Sequence, residues 1–176
     1  MSSAESCVVD TGKLTFRAAI SGLAAAASGT DIFTITGSDQ RKIKVLKIEV
    51  SGIATAAAAI PWQIIKRSTA NTGGTSTTPT CVPMETNAGI AAQAIVRAYT
   101  VNPGALGTSA GLIEAKRGTV LTAAAGTPAS PTVFDFTTNG ARYPTLNGSA
   151  EVLALNLGGG TYAGNAYDIF CVWTEE

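Results

Sequence analysis

The stretch Asp31-Ile32-Phe33-Thr34-Ile35-Thr36-Gly37-Ser38-Asp39-Gln40-Arg41-Lys42-Ile43-Lys44-Val45-Leu46-Lys47-Ile48-Glu49-Val50 decides the fold. From Asp31 to Thr36 the side chains alternate, with Phe33 and Ile35 facing one way and Thr34 and Thr36 the other. That is the period of a half-buried β-strand. Gly37-Ser38-Asp39-Gln40 has turn chemistry, and Arg41 to Val50 returns as a longer strand, so the two are expected to form a hairpin. The longer strand changes phase partway: Ile43 and Val45 share one parity, Leu46, Ile48 and Val50 the other. A period-two element cannot put both sets on one face. A bulge near Val45-Leu46 is therefore expected, or burial on both faces, and either suits a curved sandwich.

Outward from this stretch the pattern repeats. Short runs rich in Val, Ile, Thr and aromatic residues are punctuated by Gly, Pro, Asn and Ser. Leu14 to Ile20 reads as a first strand or an extended arm, and Pro61 to Ser68, Ala92 to Val101, Leu112 to Leu121 and Thr132 to Thr137 read as further strands. Asn71 to Pro79 is expected to be an exposed, mobile loop. Asn139-Gly140 and Asn147-Gly148 are turn dipeptides. Glu151 to Leu157 puts Leu153, Leu155 and Leu157 on one side. Tyr167 to Thr174 is apolar on both parities, as in a strand central to a sheet or lying against a neighbouring subunit. The Ala-rich runs allow one short helix at most. The fold class is all-β: an antiparallel β-sandwich, jelly-roll-like, of eight or nine short strands. Residues 1–29 form an N-terminal arm or first strand, and residues 30–176 a single domain.

Composition narrows the function. The chain has 176 residues, enough for one domain with its own core. Charged residues make up 14%, against about 25% in a typical soluble domain. A surface so poor in charge is weakly protected against association and suits a chain whose neighbours cover much of it. Twelve basic and twelve acidic residues give zero net charge, so direct nucleic-acid binding is not expected. The one basic cluster, Arg41, Lys42, Lys44 and Lys47, reads as solvated residues of a strand. No signal peptide or transmembrane span is recognisable, and synthesis and first folding are expected in the cytosol.

Chemistry-bearing motifs are few. With no histidine and three scattered cysteines (Cys7, Cys81 and Cys171), neither a zinc site, a disulfide framework nor a histidine-dependent nucleophile is expected. The carboxylates are dispersed, and no calcium loop or paired-acid spacing stands out. Gly158-Gly159-Gly160-Thr161-Tyr162-Ala163 matches a dinucleotide fingerprint in letters, but a strand follows it instead of a helix, so it reads as a hairpin loop. Asn147-Gly148-Ser149 fits a glycosylation sequon and reads as a turn. The chain is expected to be no enzyme and to need no cofactor or metal. The competing reading, a carbohydrate-active jelly roll, requires two carboxylates converging in a cleft.

Several stretches together carry a resemblance. Thr30 to Ser38 runs into Ile43-Lys44-Val45, followed by Ile65 to Thr75 and Tyr99-Thr100-Val101-Asn102-Pro103. The chain closes with Val152 to Leu157 and Val172-Trp173-Thr174-Glu175-Glu176. Over roughly residues 28 to 176 this order resembles small virion-associated proteins of tailed bacteriophages and prophages. The resemblance implies a jelly-roll domain on the capsid surface: a decoration or cement protein, commonly a homotrimer, whose partner is the major capsid protein. It implies no nucleic-acid or membrane partner and no catalytic motif. The alternative is a neck, tail or head-fibre component contacting other virion proteins or host glycans, for which Tyr143 and Tyr162 are the loop aromatics. Leu14, Phe16, Ile20 and Leu23 are the candidate capsid or subunit contacts, on an arm whose removal (residues 1 to 28) should leave the fold intact.

Overall fold

The structure, a computed structural model, describes residues 13–85, 89–125, 130–138 and 143–176. Twelve strands run through them: β1 (Leu14–Leu23), β2 (Asp31–Thr36), β3 (Ile43–Ala54), β4 (Ala58–Arg67), β5 (Thr75–Thr77), β6 (Cys81–Pro83), β7 (Ile95–Val101), β8 (Ser109–Thr122), β9 (Thr132–Asp135), β10 (Thr145–Leu146), β11 (Val152–Asn156) and β12 (Ala166–Glu175). The fold is all-β and sandwich-like, as its alternating runs require. The strands beyond the expected eight or nine are the short ones, β5, β6 and β10, which have too few residues to show a period. The Ala-rich runs form no α-helix among the described residues: Ala58 and Ala59 open β4, and Ala123–Ala125 make one 3-10 turn.

One sheet has the order β6-β1-β12-β3, with β9 and β10 along the far edge of β3. The other has the order β5-β7-β2-β11-β4-β8. Leu121 and Thr122, at the end of β8, run parallel to Ile53 and Ala54 and join the two sheets. Every other ladder is antiparallel. The pairing is nested: β1 pairs with β12, β2 with β11, β3 with β9, and β4 with β8. A chain doubled back on itself as one long ribbon has these partners. Rolling the ribbon up then adds β3 against β12 and β4 against β11. The segment between β4 and β8 is inserted into this scheme and lays β7 on β2, β5 on β7 and β6 on β1.

The expected hairpin of β2 and β3 does not form. Neither strand pairs with the other, and the Gly37 to Gln40 turn carries the chain from one sheet to the opposite one. Both strands still bury their apolar parity, but across the core from each other. Gly158 to Asn165 likewise crosses between sheets where a hairpin loop was expected, since β11 and β12 are unpaired. The expected bulge does form. Val172 lies opposite Lys47 and Trp173 opposite Val45, so Leu46 is the extra residue. It lets Ile43 and Val45, and then Ile48 and Val50, all face inward.

The inner faces meet in one core. Phe16 stacks on Trp173 with centroids 5.9 Å apart, and Trp62 meets Tyr167 edge-on across the sheets at 5.2 Å. Central β12, between β1 and β3, buries Ile169, Cys171 and Trp173 and keeps Phe170 and Val172 half-buried outside. Leu14 to Leu23 is a full sheet strand and no arm. Asn71 to Pro79 contains β5 and a Thr72–Ala105 bridge, so backbone hydrogen bonds tie down what was expected to be a free loop. Asn139-Gly140 lies outside the described residues.

Candidate functional site

The four expected contact residues all lie on β1, and the structure divides them. Phe16 (0% exposed) and Leu23 (2%) belong to the chain's own core, while Leu14 and Ile20 are half-buried against it. Phe16 and Leu23 are thus not a docking surface. Both face the opposite sheet, the register shift between Ile20 and Leu23 bringing Leu23 to the same side as Phe16; β12 runs along one edge of the strand and β6 covers Phe16 to Ala18 on the other.

The insertion builds a second layer. Val152, Ala154 and Asn156 project from the side of β11 away from the core, yet all three are buried. The backbone around Asn71 and Gly107 lies over this face. At its centre Asp31, fully buried, receives Nε and a terminal nitrogen of Arg67 at 2.6 and 2.8 Å. Asn71 and Asn156 each donate to the same carboxylate at 2.8 Å. Arg67 also donates to the Gly107 carbonyl at 2.9 Å, and Gly107 N–H to Asn71 Oδ1 at 2.8 Å. The pair is bidentate and its remaining lone pairs are satisfied, which a buried charge needs to be tolerated. Gly74, at φ +79°, makes the covering loop possible, because a Cβ there would lie 2.5 Å from the Asn102 carbonyl oxygen.

Between this cover and the sheet lies a cavity of about 470 Å³. Its walls include Thr34 and Thr36 of β2, Ile95, Arg97 and Tyr99 of β7, and Ser76 of β5. Sequence reading missed it because its residues come from separate strands and share no motif.

A second buried carboxylate is structural. Glu175 (2% exposed) accepts from Trp173 Nε1 at 3.0 Å and from the backbone N–H groups of Gln93 and Ala94 at 2.9 and 3.0 Å, with Arg41 3.7 Å away. Lys44 and Lys47 of the basic cluster pair with Glu176 and Glu49, so the cluster is largely neutralised. Ala18 faces Cys171 on one side and Cys81 on the other. The cysteines are thus two strand spacings apart, about 9.5 Å, beyond the reach of a disulfide. Burial pushes both thiols up, Cys171 most. Among the described residues no three His, Cys, Asp or Glu side chains form a metal-binding group. No helix among them is long and apolar enough to cross a membrane. Tyr162 is half-buried against the core, with its ring over Gly160, and Tyr143 is half-buried too.

Exposed large apolar side chains have an uneven distribution. Of the nine among the described residues, Val82, Met84, Ile90, Ile95, Val101 and Leu106 lie on the insertion, and Leu112 and Ile113 on the first part of β8. Only Ile53 lies elsewhere. Compared with protein-family models, curated proteins and solved structures, the chain matches none.

Proposed function

We propose that this chain is a structural virion protein that binds the outside of a tailed-phage capsid and reinforces it, acting as a decoration or cement protein. The observation that carries the reading is the run of eight exposed apolar side chains between Val82 and Ile113. Isolated exposed apolar residues are ordinary; six of these eight fall on the inserted segment and two on β8, and that concentration favours the insertion as the part that meets protein. The nested pairing supports a jelly-roll reading: two Greek keys arise when a four-pair ribbon rolls up. The buried charges point the same way, since Asp31 and Glu175 are consumed by hydrogen bonds that hold the fold. The partner would be the major capsid protein, with a homotrimer as the attached unit, and docking would run through the insertion in place of β1. Several standard-sized interfaces of about 1,600 Å² per trimer would supply avidity.

Immunogold electron microscopy of particles from the source lysate tests this. Regular label over the head is expected. Label confined to neck or tail would move the chain to an attachment role, and unlabelled particles would remove the virion reading.

A further inference from the structure

The cavity above the outer face of the second sheet has the chemistry of a ligand site. Thr34 is 2% exposed and Tyr99 5%, yet neither side-chain hydroxyl has a hydrogen-bond partner among the described residues. Neither is sealed away. The buried polar atoms without partners belong to Thr30, Arg41 and Tyr167, so the Thr34 and Tyr99 hydroxyls keep access to the space they line. A nearly buried hydroxyl turned toward a cavity is normally answered by water or a ligand. Beside them stands Arg97, exposed, whose one side-chain hydrogen bond among the described residues is a long one, 3.5 Å to Ser76 Oγ. No Asp or Glu is among the residues lining the cavity, and Arg97 forms no ion pair among the described residues.

We propose that this cavity binds an acidic saccharide unit, with Arg97 holding its carboxylate and the hydroxyls of Thr34, Thr36, Ser76 and Tyr99 exchanging hydrogen bonds with its hydroxyl groups. The guanidinium matches a carboxylate bidentately. Hydroxyls both donate and accept, as the hydroxyls of a sugar do. Ile95 offers one apolar contact for a ring face. The Tyr99 ring is buried, so no aromatic face is free to stack a base, which disfavours a nucleotide. About 470 Å³ holds one or two sugar rings and lies within the usual range of ligand sites. This site adjoins the apolar surface assigned to capsid docking and shares Ile95 with it, but it rests on Arg97 and the hydroxyls and is tested without any particle.

Calorimetric titration of the full chain with glucuronate, glucose and inorganic phosphate tests the assignment. Glucuronate should bind with a Kd of about 1 mM, the strength that its size permits, and glucose and phosphate each at least tenfold more weakly. Arg97→Ala should remove glucuronate binding. Tyr99→Phe, which keeps the ring and its packing, should weaken binding about three- to tenfold with an unchanged melting temperature. Equal affinity for glucose would take Arg97 out of the recognition, equal affinity for phosphate would reduce the site to a bare anion pocket, and undiminished binding by both variants would place the sugar elsewhere. Each of these overturns the proposal, as does a failure of glucuronate to bind.

Discussion

Asp31 and Arg67 show what a single pair of side chains can decide. Their charges are out of water, so removing one leaves the other without its counter-ion. Arg67→Met should destabilise the fold by about 3–5 kcal/mol in urea unfolding, and Arg67→Met with Asp31→Leu by clearly less, because no orphan charge then remains. This pair was not legible in the sequence. The two residues stand 36 apart, each at a strand end, and no local period marks them. Cys171 was legible: its apolar run Ile169 to Trp173 marked it as a small core residue, and it is fully buried. Burial first, and the nearby Cys81 second, push its thiol up, so less thiolate is present at any given pH. In native protein at pH 8, iodoacetamide should leave Cys171 unmodified by peptide mass spectrometry, and unfolding in urea should expose it. Alkylation of Cys171 in the native state at the rate of a free thiol would contradict that burial.

Among the elements, β3 records its own irregularity in its letters. The change of phase between Val45 and Leu46 has no solution on one face except an inserted residue, and the register with β12 skips at Leu46. Deleting Leu46 should turn Ile43 and Val45 outward, at about 1.5–3 kcal/mol for each side chain expelled, and circular dichroism on heating should show a much lower midpoint. What β3 does not record is its partner. A four-residue turn says that the chain changes direction, not whether it comes back alongside or crosses the core. Alternation on β2 and β3 is satisfied either way, and for that reason the expected hairpin fails. The same ambiguity made β1 readable as an arm. Removing residues 1 to 28 should leave the remainder unfolded and aggregating in size-exclusion chromatography, since Phe16, Ala18 and Leu23 leave the core and one edge of β12 opens. A monodisperse truncated protein with native circular dichroism would return β1 to the status of an arm.

For the whole molecule, the all-β class follows from the punctuation of short alternating runs, whereas the second layer over β11 does not. Asn71 to Pro79 is polar and Gly-rich, which reads as a free loop, but hydrogen bonds to β7 and to Asp31 lie too far along the chain to be anticipated locally. The exposed apolar residues of the insertion give a test of its role. Val82→Lys with Val101→Lys should abolish co-sedimentation with particles while changing stability by no more than about 0.5 kcal/mol per site, as expected for exposed positions. The nested pairing reaches further, into synthesis. Since β1 lies against β12 and β2 against β11, the earliest strands leave the ribosome with their partners not yet translated. The inner pairs β4–β8 and β3–β9 are complete in the chain before β2–β11 and β1–β12 are, with β6 and β7 already present to meet β1 and β2. Until β12 arrives, Phe16 lacks Trp173, the ring it stacks on.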